Sequence, residues 1–144
     1  MIVTATKENI SDAAELALAL WPDNDTAALT SEIAEMVSDL SALVAIFYSD
    51  KTPAGLAICQ LRHDYVEGTS SSPVGYLEGV YVKDEFRRQG AAAQLLAYCE
   101  SWAKKEGCRE FASDCQIDNT DSLLFHKAAG FEEAGRIICF CKKL

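Results

Sequence analysis

Arg87 and Arg88 stand before Gln89, Gly90 and a run of alanines, Ala91 to Ala93, where a strand-like stretch gives way to a helical one. A helix start leaves backbone N–H groups without partners and carries the positive end of the helix dipole. Small residues at Gly90, Ala91 and Ala92 let a phosphate approach that backbone, and the arginines add charge. The chemistry implied is anion binding. The plainer alternative is a solvated, basic helix start. The stretch is neither a Walker loop, because GxxxxGK[ST] is absent, nor a GxGxxG dinucleotide fingerprint.

Two carboxylates form a second group. Glu78 lies inside "VGYLEGVYV", next to Gly79, and Asp114 ends "REFASD". A glycine inside a strand marks a bulge or a close approach to the backbone by a ligand. With the two strands as neighbours, both acids face one cleft, where carboxylates hold a cation and accept its proton. Alternatively, Glu78 satisfies N–H groups at the bulge and Asp114 caps a turn. Trp21, before Pro22, is either a core aromatic closing a helix or a face for a cation or sugar ring. Tyr65, beside His63 and Asp64 in a loop, is open to the same two readings.

The elements that must position these residues follow from apolar spacing. "IVTAT" reads as a strand. "ENISDAAELALALW" reads as a helix with Ile10, Ala14 and Leu18 on its stripe, closed by Pro22. "NDTAALTSEIAEMVSDL" aligns Leu29, Ile33, Met36, Val37 and Leu40 on a second helix. "ALVAIFYSDKTPAGLAICQLRHDY" holds two strands around a turn with Pro53 and Gly55, and "VEGTSSSP" is loop. After the fourth strand comes a helix with the stripe Leu95, Leu96, Cys99, Trp102 and Ala103, ending at Gly107. "REFASD" is a strand, "NTDSLLFHKAAGF" a short helix capped by Asn119 or Thr120, and "GRIICFCKK" a final strand. The order β-α-α-β-β-β-α-β-α-β predicts an α/β domain spanning 1–144, with one mixed sheet and flanking helices.

Composition limits what the chain does. Its 144 residues suit one domain, and 49% hydrophobic residues against 24% charged supply a substantial core. A formal charge of −9 argues against nucleic acid as a partner and favours a cationic one, or simply an acidic surface. The longest uncharged apolar run, Leu40 to Tyr48, is too short for a bilayer, so no membrane partner is expected. Six cysteines carry neither a CxxC pair nor zinc spacing, and no secretory signal is read before them. They are expected to be reduced, mostly core residues of a cytoplasmic protein, with no metal; Cys139 and Cys141 alternate along the final apolar strand.

Val80-Tyr81-Val82, Arg87-x-x-Gly90-x-Ala92, Asn119 and "FHKAAGF" together resemble the GCN5-related N-acetyltransferase (GNAT) family over essentially the whole chain. That resemblance implies a bulged fourth strand and acetyl-coenzyme A as co-substrate. It puts the coenzyme's pyrophosphate on the N–H groups of Arg88 to Ala93, including Gln89, and pantetheine along Val80, Tyr81 and Val82. "LWP", "RHDYVEGTSSSPVGYLEGVYV", "ASD" and "DNTDSLLFHKAAGFEEAGR" more narrowly resemble the aminoglycoside 6'-N-acetyltransferases. This implies Trp21, Tyr65, Glu78 and Asp114 as substrate positions, Asn119 as a coenzyme contact, and a homodimer. Two departures stand out: His126 occupies the last helix where many acetyltransferases have tyrosine, and Gly135 stands where relatives often have an acid.

The implied reaction is attack of a primary amine on a thioester. An amine that is mostly protonated at neutral pH must be bound as a cation and then deprotonated, which Glu78 and Asp114 are suited to do. A backbone N–H at the bulge would polarise the carbonyl. His126 is either a general acid for the leaving thiolate or a surface histidine. Two alternatives keep part of this reading. A polyamine or protein amine is the acceptor, or the chain is a non-catalytic acyl-coenzyme binding module that needs neither acid.

Overall fold

The computed structural model describes residues 1–144. Strand β1 (Ile2–Thr4) leads to helices α1 (Ile10–Leu20) and α2 (Thr26–Ser38), then strands β2 (Ala42–Ser49), β3 (Thr52–Arg62) and β4 (Val74–Val82). A 3-10 turn over Asp84–Phe86 precedes α3 (Ala91–Lys105), β5 (Phe111–Ser113) and α4 (Thr120–Ala128). The sheet runs β1-β2-β3-β4-β5, antiparallel throughout except for the parallel β4–β5 pair.

Helices cover both faces of this sheet, so its central strands are apolar almost without interruption. Along β2 and β3, Val44, Ile46, Leu56 and Ile58 turn towards α1 and α2, where Leu16, Ala17, Leu29 and Ile33 complete one core. Their neighbours Leu43, Ala45, Ala57 and Cys59 face α3, meeting Leu95, Leu96 and Cys99 in a second. Each fully buried Leu or Ile in these layers contributes about 1.5–3 kcal/mol. On α1 the buried stripe is Ala13, Ala14, Leu16 and Ala17, with Ile10 and Leu18 at its margins rather than at its centre. Leu40 falls beyond the end of α2 and is exposed, so it leaves the stripe that spacing assigned to it.

Two irregularities shape the site. Between β3 and β4, Ile58 pairs with Gly79 and Cys59 with Leu77, which leaves Glu78 as the unpaired residue of a bulge. β5 pairs with Gly75, Tyr76 and Leu77 and then stops. Beyond Leu77 the outer edge of β4 therefore has no strand beside it.

The expected last strand does not form. No helix or strand follows Ala128, and Ile137, Ile138, Phe140 and Leu144 are exposed, Phe140 by 91%. Cys139 and Cys141 are exposed with it, as is Cys115, so only Cys59, Cys99 and Cys108 are core residues. A strand needs a neighbour for its ladder, and the chain's path denies it one. Phe131 packs near Phe111, but Ala134 already lies against the 66–68 loop, where a side chain on Gly68 would overlap it. No helix is long and apolar enough to cross a membrane.

Candidate active site

The helix start predicted to bind an anion is built by two left-handed residues. Arg88 (φ 62°) and Gly90 (φ 78°) turn the chain into α3, and no side chain caps that helix. None of the backbone N–H groups from Arg88 through Ala93 donates a hydrogen bond to another backbone group; the first to do so is Gln94, to the Gly90 carbonyl at 3.0 Å. A row of free donors at the positive end of a helix fits a diphosphate. Glycine at 90 answers to its φ rather than to crowding, since an added Cβ would meet only the Gln94 side chain, at 3.8 Å. Arg87 turns inward, with Nε donating to the Val82 carbonyl at 2.8 Å and Nη1 paired with Asp84 at 2.9 Å. It braces the turn, and Arg88 is the arginine left without an ion pair. Val80, Tyr81 and Val82 lie along the open edge of β4, the Val82 carbonyl already engaged by Arg87.

Glu78 projects from the bulge into the grip of a residue that spacing had not singled out. Arg62, at the end of β3, donates from Nε (3.3 Å) and Nη2 (2.9 Å) to one Glu78 oxygen, and from Nη2 (3.1 Å) to the other. Its guanidinium carbon sits 3.5 Å from the centre of the Tyr76 ring. The Tyr76 hydroxyl in turn donates to Asp114. Burial, followed by this bond to Asp114, pushes the Tyr76 hydroxyl well above the usual phenol range. The two acids are thus brought together through the chain Glu78–Arg62–Tyr76–Asp114. Arg62 and Tyr76 did leave a signal, since Gln60-x-Arg62 and Tyr76-x-Glu78 alternate polar groups within otherwise apolar strands.

His126 is part-buried against the end of β5 rather than on the free surface. Its Nδ1 lies 2.6 Å from the Ser122 carbonyl, which only accepts, so Nδ1 carries the proton. Nε2 is 2.8 Å from the Ser113 hydroxyl, itself 3.1 Å from the Leu77 carbonyl beside the bulge. The Ser113 hydroxyl donates its one proton to the Leu77 carbonyl. Phe125 and Phe131 flank the imidazole edge-on at 5.5 and 5.1 Å. Ser113 was not foreseen.

The remaining positions are placed differently. Trp21 packs on the bulge: a Cβ on Gly79 would fall 2.7 Å from Trp21 Cζ2 and from Leu20 Cδ2. The close approach that Gly79 permits is therefore by the protein's own side chains, with Trp21 still part-exposed. Tyr65 is 80% exposed, and no hydrogen bond links it to the acid pair. Its hydroxyl donates to Glu67 at 3.1 Å, which raises its own pKa. Glu67 also fills the space beside Gly135, its carboxylate 3.6 Å from where a Cβ would stand. Asn119 caps α4, its Oδ1 accepting from the Ser122 N–H at 3.1 Å, and its amide nitrogen stays free. No group of three His, Cys, Asp or Glu is arranged to hold a metal.

Comparison with known proteins bears on this arrangement. The acetyltransferase (GNAT) family model matches residues 10–131. A type 1 aminoglycoside N(6')-acetyltransferase of Acinetobacter haemolyticus is 38% identical over 143 residues, 99% of this chain and 98% of that protein. One from Serratia marcescens is 39% identical, covering 100% and 99%. Among solved structures, AAC(6')-Iy in complex with the bisubstrate analogue CoA-S-monomethyl-acetylneamine superposes with a TM-score of 0.96 at 37% identity, over 100% of this chain and 98% of that one. A free donor row at a helix start and a bulged strand thus occur in a chain that matches these enzymes from end to end, and the protein belongs to the GNAT acetyltransferase family.

Proposed function

We propose that this protein is an aminoglycoside 6'-N-acetyltransferase, working as one domain over residues 1–144 in the cytoplasm. The observation that carries the reading is its end-to-end likeness to a structure holding a bisubstrate analogue, in which coenzyme and aminosugar are joined in one molecule. Acetyl-coenzyme A supplies an activated acetyl thioester. The N–H groups of Arg88 to Ala93 hold its diphosphate, the open edge of β4 receives its amide-bearing arm, and the free amide nitrogen of Asn119 adds a donor. Glu78 and Asp114 draw in the protonated amine, and one of them takes its proton, so that nitrogen forms its bond to the acetyl carbon as the carbon–sulfur bond breaks. His126, with its Nδ1 proton held on the Ser122 carbonyl, takes a proton from solvent at Nε2 and passes it to the leaving sulfur, while the proton taken by the carboxylate returns to solvent. Trp21 and Tyr65 supply aromatic faces to the sugar.

A homodimer belongs to this proposal, and the C-terminal segment supports it. Residues 136–144 expose a row of large apolar side chains that a solitary chain leaves in water. Two hollows, of about 130 and 120 Å³, lie beside β5, where Phe111, Ala129 and Phe131 share the walls with the charged Glu100, Lys104, Arg109 and Glu110. β5 is an edge strand, so the segment of a second copy has a ladder to join.

Product analysis tests the function. Kanamycin and tobramycin, with a free 6'-amine, are expected to gain one acetyl group there, and paromomycin, with a 6'-hydroxyl, to remain unmodified, because the thioester is fixed against β4. Mass spectrometry that found the acetyl group on another nitrogen, or equal acetylation of paromomycin, would overturn the regiochemistry. Rapid acetylation of spermidine with no reaction on either drug would move the acceptor to polyamines.

A further inference from the structure

Resting on the reading that Glu78 receives a substrate cation, the structure raises a question about Arg62. Both oxygens of that carboxylate are already taken by a guanidinium, at 2.9 and 3.1 Å from Nη2. A buried structural pair would exclude exchange, but here the Arg62 side chain is 41% exposed and that of Glu78 is 23% exposed. Such a pair is held weakly against water and salt. Arg62 also has somewhere to stay on release, since its guanidinium carbon is stacked 3.5 Å over the Tyr76 ring and loses nothing there by letting the carboxylate go.

We propose that Arg62 is a built-in competitor for the substrate: it occupies Glu78 as a stand-in cation and is displaced when an ammonium arrives. A molecule with one amine exchanges one cation for another at Glu78 and gains no ion pair. A polycation performs the same exchange and keeps the surplus from Asp114. Arg62 thereby sets an affinity threshold that single amines and simple cations fail to cross, while Glu78 is spared an unpaired charge in the resting protein. This makes Arg62 a specificity-determining residue whose removal improves substrate binding.

Calorimetric titration of kanamycin, and of spermidine in parallel, into wild type, Arg62→Met, Glu78→Gln and the double variant decides the matter. Methionine keeps an unbranched apolar stem but removes the guanidinium and its charge. The expected result is a dissociation constant at least about fivefold lower in Arg62→Met, because the substrate cation no longer has to displace a guanidinium from Glu78. In the Glu78→Gln background the same substitution is expected to change affinity by less than about twofold, because no carboxylate remains to compete for. Weaker or unchanged binding in Arg62→Met would overturn the proposal and make Arg62 a clamp that orients Glu78. If kanamycin fails to bind wild type but spermidine binds, the aminoglycoside reading falls, and the spermidine titrations judge Arg62 by the same criterion. Failure of both cations to bind any of the four proteins overturns both.

Discussion

At the scale of single residues, the two acids are equally legible in the sequence but differently placed in space. Glu78 is thrown into the cleft by a bulge and faces a guanidinium, whereas Asp114 accepts from a phenol. Removing charge while keeping shape separates their chemistry from their packing. Asp114→Asn and Glu78→Gln are each expected to lower kcat/KM for kanamycin by about 10² to 10⁴, the usual range for a lost general base. Coenzyme A affinity, measured by calorimetry, is expected to hold, since neither acid adjoins the α3 start. Near-normal turnover in both variants would return these residues to bulge filling and turn capping. The partners of the acids were harder to foresee. Arg62 reaches Glu78 from another strand, and a sequence carries no register by which to pair them.

Elements set the geometry that residues exploit. Gly90 holds φ 78° without the strain a Cβ would add, and its openness leaves the α3 donors approachable. Gly90→Val imposes about 1–2 kcal/mol of left-handed strain and covers the donors. Coenzyme A affinity is expected to fall at least about tenfold while the domain stays folded. Unchanged affinity in a folded variant would sink the assignment of this turn to the diphosphate.

A second element-scale device ties the 66–73 loop to β5. Glu110, just before that strand, accepts from the Ser71 hydroxyl and from the Ser70 N–H at 2.9 Å. These bonds, Ser71's foremost, hold its carboxyl below the ordinary value of 4.5. A depressed folded pKa stabilises the loop above 4.5, and that stabilisation disappears as pH falls through the lower, folded value. Hydrogen exchange at the Ser70 amide is therefore expected to lose protection on acidification below pH 4.5 in wild type. In Glu110→Gln protection is expected to be low already at neutral pH and insensitive to acid. Equal protection in both proteins would show that the loop is held by other contacts.

The molecule as a whole has one unfinished surface. Ile137, Ile138 and Phe140 cover nothing within their own chain, although β5 offers an open edge close to Phe131. The intact protein is expected to run as a dimer in light scattering coupled to gel filtration, and a chain ending at Gly135 as a monomer that still binds coenzyme A. A monomeric intact chain, or a dimer without the segment, would remove these residues from the interface.

The alternation and helical spacing of apolar residues determined the helices, the first five strands and the two-sided burial of the sheet, because local patterning is a property of neighbours along the chain. The glycine and arginines before α3 likewise announced a turn into a helix with free donors. What tertiary structure alone decided is everything that depends on distance across the sheet. The bulge isolates Glu78 and not Gly79, Trp21 rather than a ligand covers that glycine, and Arg62 pairs with Glu78. Ser113 stands between His126 and Leu77 for the same reason. The final segment shows the limit from the other side. "IICFC" has the pattern of a strand, but a strand is a relation between two segments, and this one pairs with none in its own chain.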